Sequence, residues 1–301
     1  QPFPGGDQSA APTEPPAAKR LIGQMTGAWK RYEPPQMSDT FLGKVLELHD
    51  RGLTKSERDF RRVQNVLFDA QRREILRRLA VQRDAGELTV KALPQLDLFN
   101  LGDWIRRFIK SGLPMYAAIS TLGANQQINA FSLGVAFDIQ KIQAWLDQRA
   151  LFWATRVNEE TARLLIGEIS EGLVAGEGIK PLQARVERVF EFSDSVRSER
   201  IARTESQSAM NEGAVESYRQ SGVVERKMWL ATLDARTRDA HIEAHRQVVE
   251  LEASFLVGGE ALSHPGEGSP ENAINCRCTV APVITQRSWR RPILDLINGH
   301  Q

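Results

Sequence analysis

The spacing of apolar residues between about residue 38 and about residue 222 is the feature that most constrains the fold. Apolar residues recur there every three or four positions with few β-branched runs, which is typical of amphipathic helices. In residues 56–80 the apolar stripe consists of Phe60, Val63, Val66, Leu67, Ala70, Ile75 and Leu79. This stripe predicts one long amphipathic helix.

The same periodicity predicts more helices towards the C-terminus. Their ranges are 102–110, 114–121, 125–132, 136–152, 154–173, 179–191 and 193–221. Ser193 is a suitable N-cap for the last helix, and Gly222 is a suitable C-terminal stop. The fold class that follows is mainly α, with an elongated multi-helix body.

The pattern changes after Gly222. Residues 227–233 and 276–284 are typical of strands, residues 237–245 of a short helix, and the stretch between them is rich in Gly, Pro and Ser. We therefore predict a small, compact C-terminal α+β module. The predicted division is a flexible Pro-rich leader over 1–20, the helical body over 21–222, the α+β module over 223–285 and a C-terminal extension over 286–301.

Charge is balanced over the whole chain but not along it. The 39 basic and 38 acidic residues give a net charge of +1, which excludes a global polyanion-binding signature. Residues 51–83 carry a local excess of positive charge, and the arginines most suited to contact double-stranded DNA or an acidic protein are Arg61, Arg62, Arg72, Arg73, Arg77 and Arg78. The alternative is a solvated helix face whose arginine stems cover apolar surface.

No stretch of the sequence approaches the roughly 20 apolar residues that a membrane-spanning helix needs. Residues 1–20 also lack the apolar centre of a signal peptide. We therefore expect no membrane partner.

Both cysteines of the chain lie in the segment 271–282, ENAINCRCTVAP. Two cysteines separated by one residue are unsuited to a disulfide, so reduced thiols are expected. On a strand, Cys276 and Cys278 would point to the same face and could supply half of a tetrahedral zinc site. His241 and His245, four residues apart on a short helix, could supply the other half, and His264 is a further candidate.

Two other interpretations of these residues stay open. In the first, the thiols are half-buried strand residues and the histidines are solvated. In the second, the cluster is catalytic, with a Cys–His nucleophile pair or an acid/base pair of Asp234 and His241. Asp234 also fits a simpler role as a helix-capping residue.

Read together, the motifs of the C-terminal half resemble the head morphogenesis, or Mu F-like minor head protein, family of tailed bacteriophages. They occur in the family's order: an R-T-E helix in 201–229 with a following Asn and a K-x-W strand, then D-x-R-T-R-x-x-H in 233–241, then N-C-R-C in 255–278. The residues at motif positions are Arg203, Thr204, Glu205, Asn211, Trp229, Asp234, Arg236, His241, Asn275, Cys276, Arg277 and Cys278.

The resemblance bears on the zinc hypothesis. The family usually shows an Asp-Gly pair shortly after the motif histidine, whereas His245 and Arg246 stand in that place here. A structural zinc set of His241, Cys276 and Cys278, with an open fourth ligand, therefore follows from the resemblance more directly than one that includes His245. The R-T-E residues are interpreted as a partner-facing surface or as an ion pair that fixes the helix on the module.

The resemblance implies a non-enzymatic virion protein. Proteins of this family associate with the portal at one vertex, enter the procapsid in few copies and support head assembly or the passage of DNA. The implied partners are the portal protein, the major capsid protein or scaffold, and packaged DNA, and the implied location is the head interior or portal vertex, with the host cytoplasm during assembly. The rival hypothesis is a metal-dependent enzyme or toxin-like effector that uses His241, Asp234, Cys276 and Cys278.

Overall fold

The computed structural model of the chain describes residues 38–91 and 98–284. The predicted leader over 1–20 and extension over 286–301 lie outside the described residues. Helix α1 spans Asp39–Asp84, and it begins where the Ser38 side chain accepts a hydrogen bond from the backbone N–H of Phe41 at 3.2 Å. The predicted long helix over 56–80 is confirmed as the central part of α1.

Helix α2 spans Leu101–Phe131 as one continuous helix, whereas three short helices were predicted there. Pro114 lies inside α2 without ending it. Buried Phe108 and Tyr116 flank the proline and pack into the same core, so their burial outweighs the backbone hydrogen bond lost at Pro114. Ser132, in the left-handed conformation with φ 52°, ends the helix.

The remaining helices of the body differ from the prediction mainly at their N-terminal ends, and the two predicted over 136–152 and 154–173 form one helix. A short 3₁₀ turn over Ile139–Ile142 leads into α3, Gln143–Val174, and α4 spans Ile179–Phe192. A π-helical turn over Ser193–Arg197 joins α4 to α5, Ser198–Ser221. Ser193 is therefore not an N-cap, and its hydroxyl donates to the Val189 carbonyl at 2.9 Å instead.

Aromatic residues centre the core between α1, α2 and α3. The ring of Trp153 lies 5.1 Å from that of Phe60 and 5.1 Å from that of Phe108, and Tyr116 lies 5.4 Å from Phe60 in an edge-on arrangement. Gly112 faces the Trp153 indole so closely that a Cβ there would overlap it. Burial of such rings is the main source of stability for this part of the chain.

Helix α5 differs from the other helices because it is buried on nearly all sides although its sequence is polar. Its buried polar residues are Thr204, Glu205, Ser206, Gln207, Ser208, Asn211, Glu212, Glu216 and Ser217. The helix crosses α2 at two glycines, and a Cβ at Gly123 or Gly213 would overlap a backbone carbonyl of the other helix. Gly222, with φ 66°, ends α5 as predicted.

Two small sheets follow α5, so the predicted mainly α fold with a small C-terminal α+β part is confirmed. Antiparallel pairs place β1, Arg226–Leu230, between β2, Val248–Glu250, and β5, Thr279–Val283. Strands β3, Phe255–Val257, and β4, Glu260–Leu262, form a hairpin. The short helices are α6, Asp239–Glu243, and α7, Pro270–Ala273.

The helices and the sheets share apolar cores. Val215 and Tyr218 of α5 pack with Trp229 of β1 and Phe255 of β3 in one buried cluster. Leu42 and Val45 of α1 pack against the other face of the three-stranded sheet. Among the described residues no helix is both long enough and apolar enough to cross a membrane.

Candidate metal centre and the adjoining cleft

His241, Cys276 and Cys278 converge in the interior beside β5. The Nδ1 atom of His241 lies 3.4 Å from Sγ of Cys278 and 3.8 Å from Sγ of Cys276. All three residues are buried, each with 2% of its surface exposed. This is one of the groups among the described residues whose ligand atoms are close enough to share a metal ion.

The cysteines reach this position from a turn and not from a strand. β5 begins at Thr279, so the predicted placement of Cys276 and Cys278 on a strand is wrong. Asn275 precedes them in the left-handed conformation with φ 56°, a region that Asn tolerates better than most residues. Both sulfur atoms thus reach His241 from the segment between the turn at 274–275 and β5, and we call residues 274–278 the cysteine turn.

Side chains of α5 form hydrogen bonds to the cysteine turn. The Asn211 side chain donates to the carbonyls of Pro265 and Cys278, both at 3.1 Å, and accepts from the Thr279 hydroxyl at 3.0 Å. Gln207, one helical turn earlier, also donates to the Cys278 carbonyl. These buried bonds fix the backbone of the turn, because a carbonyl left without a donor there would be costly.

Gln207 also links the turn to α1. Its side-chain oxygen lies 3.0 Å from Nε2 of buried His49, and its nitrogen lies 3.9 Å from Sγ of Cys276. Burial lowers the pKa of His49 and so favours the neutral imidazole, in which Nε2 carries the proton because the amide oxygen of Gln207 only accepts. Neither residue was predicted from the sequence, although Gln207 stands four positions before the motif residue Asn211 and so shares its helix face.

The donor set fits a metal ion. Nε2 of His241 lies 3.3 Å from Oδ1 of Asn272, and an amide oxygen only accepts, so Nε2 carries the proton and the Nδ1 lone pair faces the thiols. A ligating histidine usually donates its other ring N–H in this way. A small cavity of about 10 Å³, lined by all three residues, adjoins the site and is about the size of one water.

The two thiols influence each other's ionisation. A hydrogen bond with Cys278, followed by the opposing effect of burial, leaves the pKa of Cys276 lowered. The same hydrogen bond, together with burial, raises the pKa of Cys278 well above its ordinary value. Cys276 therefore ionises before Cys278, and a cation with a preference for thiolates would displace the thiol protons on binding.

The other two histidine candidates lie elsewhere. Nδ1 of His245 accepts a hydrogen bond from the Ala231 backbone N–H at 3.2 Å. His264 contacts Glu212 and Glu267 in a separate buried group. The structure thus brings His241 and the cysteines together without His245 or His264.

Asp234 is engaged by arginine. Both carboxylate oxygens of Asp234 accept bonds of 2.7 Å from Arg277, and its Oδ1 also accepts from the Arg236 backbone at 2.9 Å. Arg277, together with these other donors, holds the pKa of Asp234 well below its usual range. The ring nitrogens of His241 face Asn272 and the thiols, so the structure places Asp234 in an ion pair and not in an acid/base pair with His241.

The three R-T-E residues make different kinds of contact. The Arg203 guanidinium lies 2.9 Å from Glu199, 3.3 Å from the Asn275 side chain and 3.5 Å from Glu57 of α1. Thr204 donates its hydroxyl to the Arg200 carbonyl within α5.

Glu205 points to the opposite side, where it accepts from the Tyr116 hydroxyl and from Arg149 Nε, both at 2.7 Å. The Glu205–Arg149 pair is buried, so loss of either partner would leave a costly buried charge. Trp229 is fully buried, and its ring meets those of His241 at 5.6 Å and Phe255 at 5.4 Å.

An open cleft of about 700 Å³ lies above the cysteine turn, between it and α1. One wall contains the motif residues Arg203, Arg236, Asn275 and Arg277, together with Arg238 and Thr232. The facing wall is α1, which contributes Leu46, Glu47, Asp50, Leu53, Thr54 and Glu57. The cleft therefore sets a cationic wall opposite an acidic one.

Most of the α1 arginines named from the sequence form ion pairs. Arg72 lies 2.6 Å from Asp69 and 2.9 Å from Glu187, and Arg78 lies 2.6 Å from Glu74. Arg73 also pairs with Asp69. The contacts of Arg61 with Glu199 at 4.0 Å and of Arg62 with Asp59 at 3.7 Å are longer, and Arg77 is exposed. Carboxylates on or beside the helix thus offset much of its positive charge.

Comparison with known proteins confirms the resemblance predicted for the C-terminal half. Residues 166–281 match the family described as Phage Mu protein F like protein. The chain is 31% identical over 120 residues to minor head protein GP7 of Bacillus phage SPP1, a match that covers 38% of this chain and 39% of that protein. Residues 166–281, which match the family, contain α5, the candidate metal centre and the cationic wall of the cleft.

A second relative has a different name. The chain is 29% identical over 133 residues to NAD(+)–arginine ADP-ribosyltransferase EFV of Enterococcus faecalis (strain ATCC 700802 / V583), which is 43% of this chain and 27% of that protein. The chain thus spans well under half the length of either relative. No solved structure gives a significant match.

Proposed function

We propose that this chain is a minor capsid protein of a tailed phage or phage-like particle and that it acts at the portal vertex during head assembly. The observation that supports this most is the clustering of Arg203, Arg236, Asn275 and Arg277 around one open cleft. Motif residues gathered on an accessible surface, in a region similar to a minor head protein, fit a role in binding another protein.

The portal protein is the partner we assign to this cleft, and the major capsid protein or scaffold is the second partner. Opposed charged walls would favour one docking orientation, because like charges brought together are strongly unfavourable. The location that follows is the head interior or portal vertex, after assembly in the host cytoplasm.

Contact with packaged double-stranded DNA is a further part of the proposal, and the α1 arginines are its candidates. Arg62, Arg73 and Arg77 are the exposed members of that set. Arg72 and Arg78 are held by nearby carboxylates and are less suited to neutralise phosphate. Any DNA contact would therefore centre on the exposed three.

We propose that His241, Cys276 and Cys278 bind a structural zinc ion. Their donor set and burial support this role, and the metal would join α6 to the cysteine turn in a part of the chain with short strands. Water in the small adjoining cavity would serve as the fourth ligand.

We further propose that the chain is not an enzyme. The similarity to the ADP-ribosyltransferase covers 27% of that protein, a smaller share than the 39% of the minor head protein that the chain matches. The match to the phage protein family over residues 166–281 also favours a role in assembly over catalysis. Incubation with NAD⁺ and an arginine-containing acceptor should give no transfer above that of a His241→Ala variant.

Quantitative mass spectrometry of purified procapsids and mature particles would test the assembly role. We expect a small fixed number of copies per particle, counted against the major capsid protein. Crosslinking from a photoreactive group at position 236 should yield adducts with the portal protein. Absence of the chain from both kinds of particle would contradict the proposal, and crosslinks to the major capsid protein alone would move it away from the portal.

A further inference from the structure

A second buried cluster of ligand-type side chains lies beside the cysteine turn, since the Asn211 amide donates both to the Cys278 carbonyl and to the Pro265 carbonyl next to His264. Nε2 of His264 is 3.1 Å from Oε2 of Glu212 on α5 and 3.3 Å from Oε1 of Glu267 in the loop after β4. His264 is fully buried, and 8% of the Glu212 surface is exposed. The sequence made His264 a further candidate ligand beside the cysteines, but its ring nitrogens contact Pro265 and Glu212 instead.

The hydrogen bonds fix which ring nitrogen of His264 carries a proton. Nδ1 lies 2.9 Å from the Pro265 carbonyl oxygen, and because a carbonyl only accepts, Nδ1 must donate. In the neutral ring Nε2 then carries a lone pair, which faces two carboxylate oxygens. Three electron-pair donors meeting in a buried place repel one another unless a cation lies between them.

The surrounding charges leave room for a cation. Arg219 lies 3.9 Å from Glu212, 3.2 Å from Glu216 and 3.1 Å from Glu252, and Lys227 is buried near the same group. Five carboxylates, counting Glu205 and Glu267, thus share Arg149, Arg219 and Lys227, which leaves two negative charges before His264 is considered. A divalent ion would balance these charges, whereas a proton on His264 would balance only one of them.

An ion could reach the cluster from solvent through a cleft, and a hydrogen bond orients one of the carboxylates that would bind it. Glu267 is part-exposed and lines an open cleft together with Arg149, Glu260 and Gly268. Its Oε2 accepts from the Ser263 backbone N–H at 2.8 Å, so Oε1 stays directed at His264. The cleft would admit an ion and the water ligands that complete its coordination.

We propose that His264 Nε2, Glu212 and Glu267 form a divalent metal site separate from the thiol site. Ligands about 2.0–2.2 Å from a metal in tetrahedral array lie about 3.3 Å apart, close to the nitrogen-to-oxygen distances here. One imidazole and two carboxylates suit Mn²⁺ as well as Zn²⁺, whereas the thiol set selects the softer Zn²⁺. Mn²⁺ is therefore the probe that distinguishes the two sites.

Electron paramagnetic resonance of free Mn²⁺ during titration of the metal-stripped full chain would test the site. We expect about one Mn²⁺ bound per chain. Glu267→Gln should weaken it beyond the about 10- to 100-fold typical of losing an outer-shell partner. Glu267 is part-exposed, so this variant is expected to fold, and circular dichroism would check it.

A control variant separates the site from its surroundings. Glu252→Gln removes a nearby exposed carboxylate that is not a ligand, so it should keep Mn²⁺ binding within about threefold of the original, because it removes no group that contacts the metal. Failure of the original chain to bind Mn²⁺ stoichiometrically, or equal binding by Glu267→Gln, would overturn the proposal. His264 would then be an imidazolium held by two glutamates.

Discussion

The core of the helical body and the surroundings of α5 are stabilised in different ways. Around Trp153 large rings fill the space, and burial of apolar area dominates. Around α5 the buried groups are Gln207, Asn211 and Glu205, each with defined hydrogen-bond partners. An apolar core tolerates side chains of similar volume, whereas a buried polar network requires particular atoms, because every unpaired partner is costly.

The largest effect is expected in the apolar core. Trp153→Ala removes a ring that Phe60, Phe108 and Tyr116 all contact, so it should lower the free energy of unfolding by about 3–5 kcal/mol. Chemical denaturation with matched slopes would measure it. Leu151→Ala, on a half-exposed neighbour, is the control and should change the value by less than about 0.5 kcal/mol. A small effect of Trp153→Ala would show that burial of apolar area is not the main source of stability in this core.

A comparable loss is expected at the proposed zinc site. Cys276→Ser or Cys278→Ser should abolish stoichiometric zinc and make residues 223–285 sensitive to proteolysis. Loss of a ligand present at 100 to 1,000 times its dissociation constant removes about 2.7–4.1 kcal/mol. Metal analysis and limited proteolysis would follow both effects, and a chelator should reproduce them in the original chain. Unchanged melting in both variants would contradict a structural metal.

A smaller effect should follow from the polar network. Asn211→Leu keeps the volume nearly constant but removes the acceptor of the buried Thr279 hydroxyl and one of the two donors to each of the Pro265 and Cys278 carbonyls. His264 still reaches the first carbonyl and Gln207 the second. We expect a loss of about 1–3 kcal/mol in unfolding free energy. The matched apolar replacement is Leu165→Met in the body core, which should cost less than about 1.5 kcal/mol. Equal losses of unfolding free energy from the two replacements would show that the polar network is no more sensitive to substitution than the apolar core.

The smallest effect is expected from the surface pair of Asp234 and Arg277. Because the pKa of Asp234 is lowered in the folded chain, its contribution is present above the unfolded value of about 3.9 and is lost as pH falls through the folded value. Asp234→Asn should therefore differ from the original chain at neutral pH and converge with it in strong acid. Melting curves of both chains across this range would test the sign. A difference in stability between the two chains that grows as the pH falls would contradict this prediction.

The apolar pattern predicted the body better than the site. Stripes such as Phe60 to Leu79 gave α1 correctly, because helix burial and sequence period agree there. The breaks predicted within α2 were wrong, because propensity at Pro114 was weighed without the tertiary contacts of Phe108 and Tyr116. Strands β2 to β4 were not predicted, since each has three residues and too few positions to show alternation.

The residues of the site were predicted only where the sequence matches the motifs of the phage family. His241 and the two cysteines meet as expected, but the turn that positions the sulfurs depends on the backbone of Asn275, which residue type alone does not fix. Asn272 and His49 gave no signal, because their partners are distant in sequence. His264 was assigned to the wrong neighbours for the same reason.

The crossing of α2 and α5 at Gly123 and Gly213 has a mechanical consequence. With backbone against backbone, no side chain lies between the two helices to absorb a displacement. A force that shifts α2 must shift α5, and with it the amides of Gln207 and Asn211 that hold the cysteine turn. A displacement of α2 at this crossing is therefore expected to change the positions of Cys276 and Cys278 in the candidate metal centre.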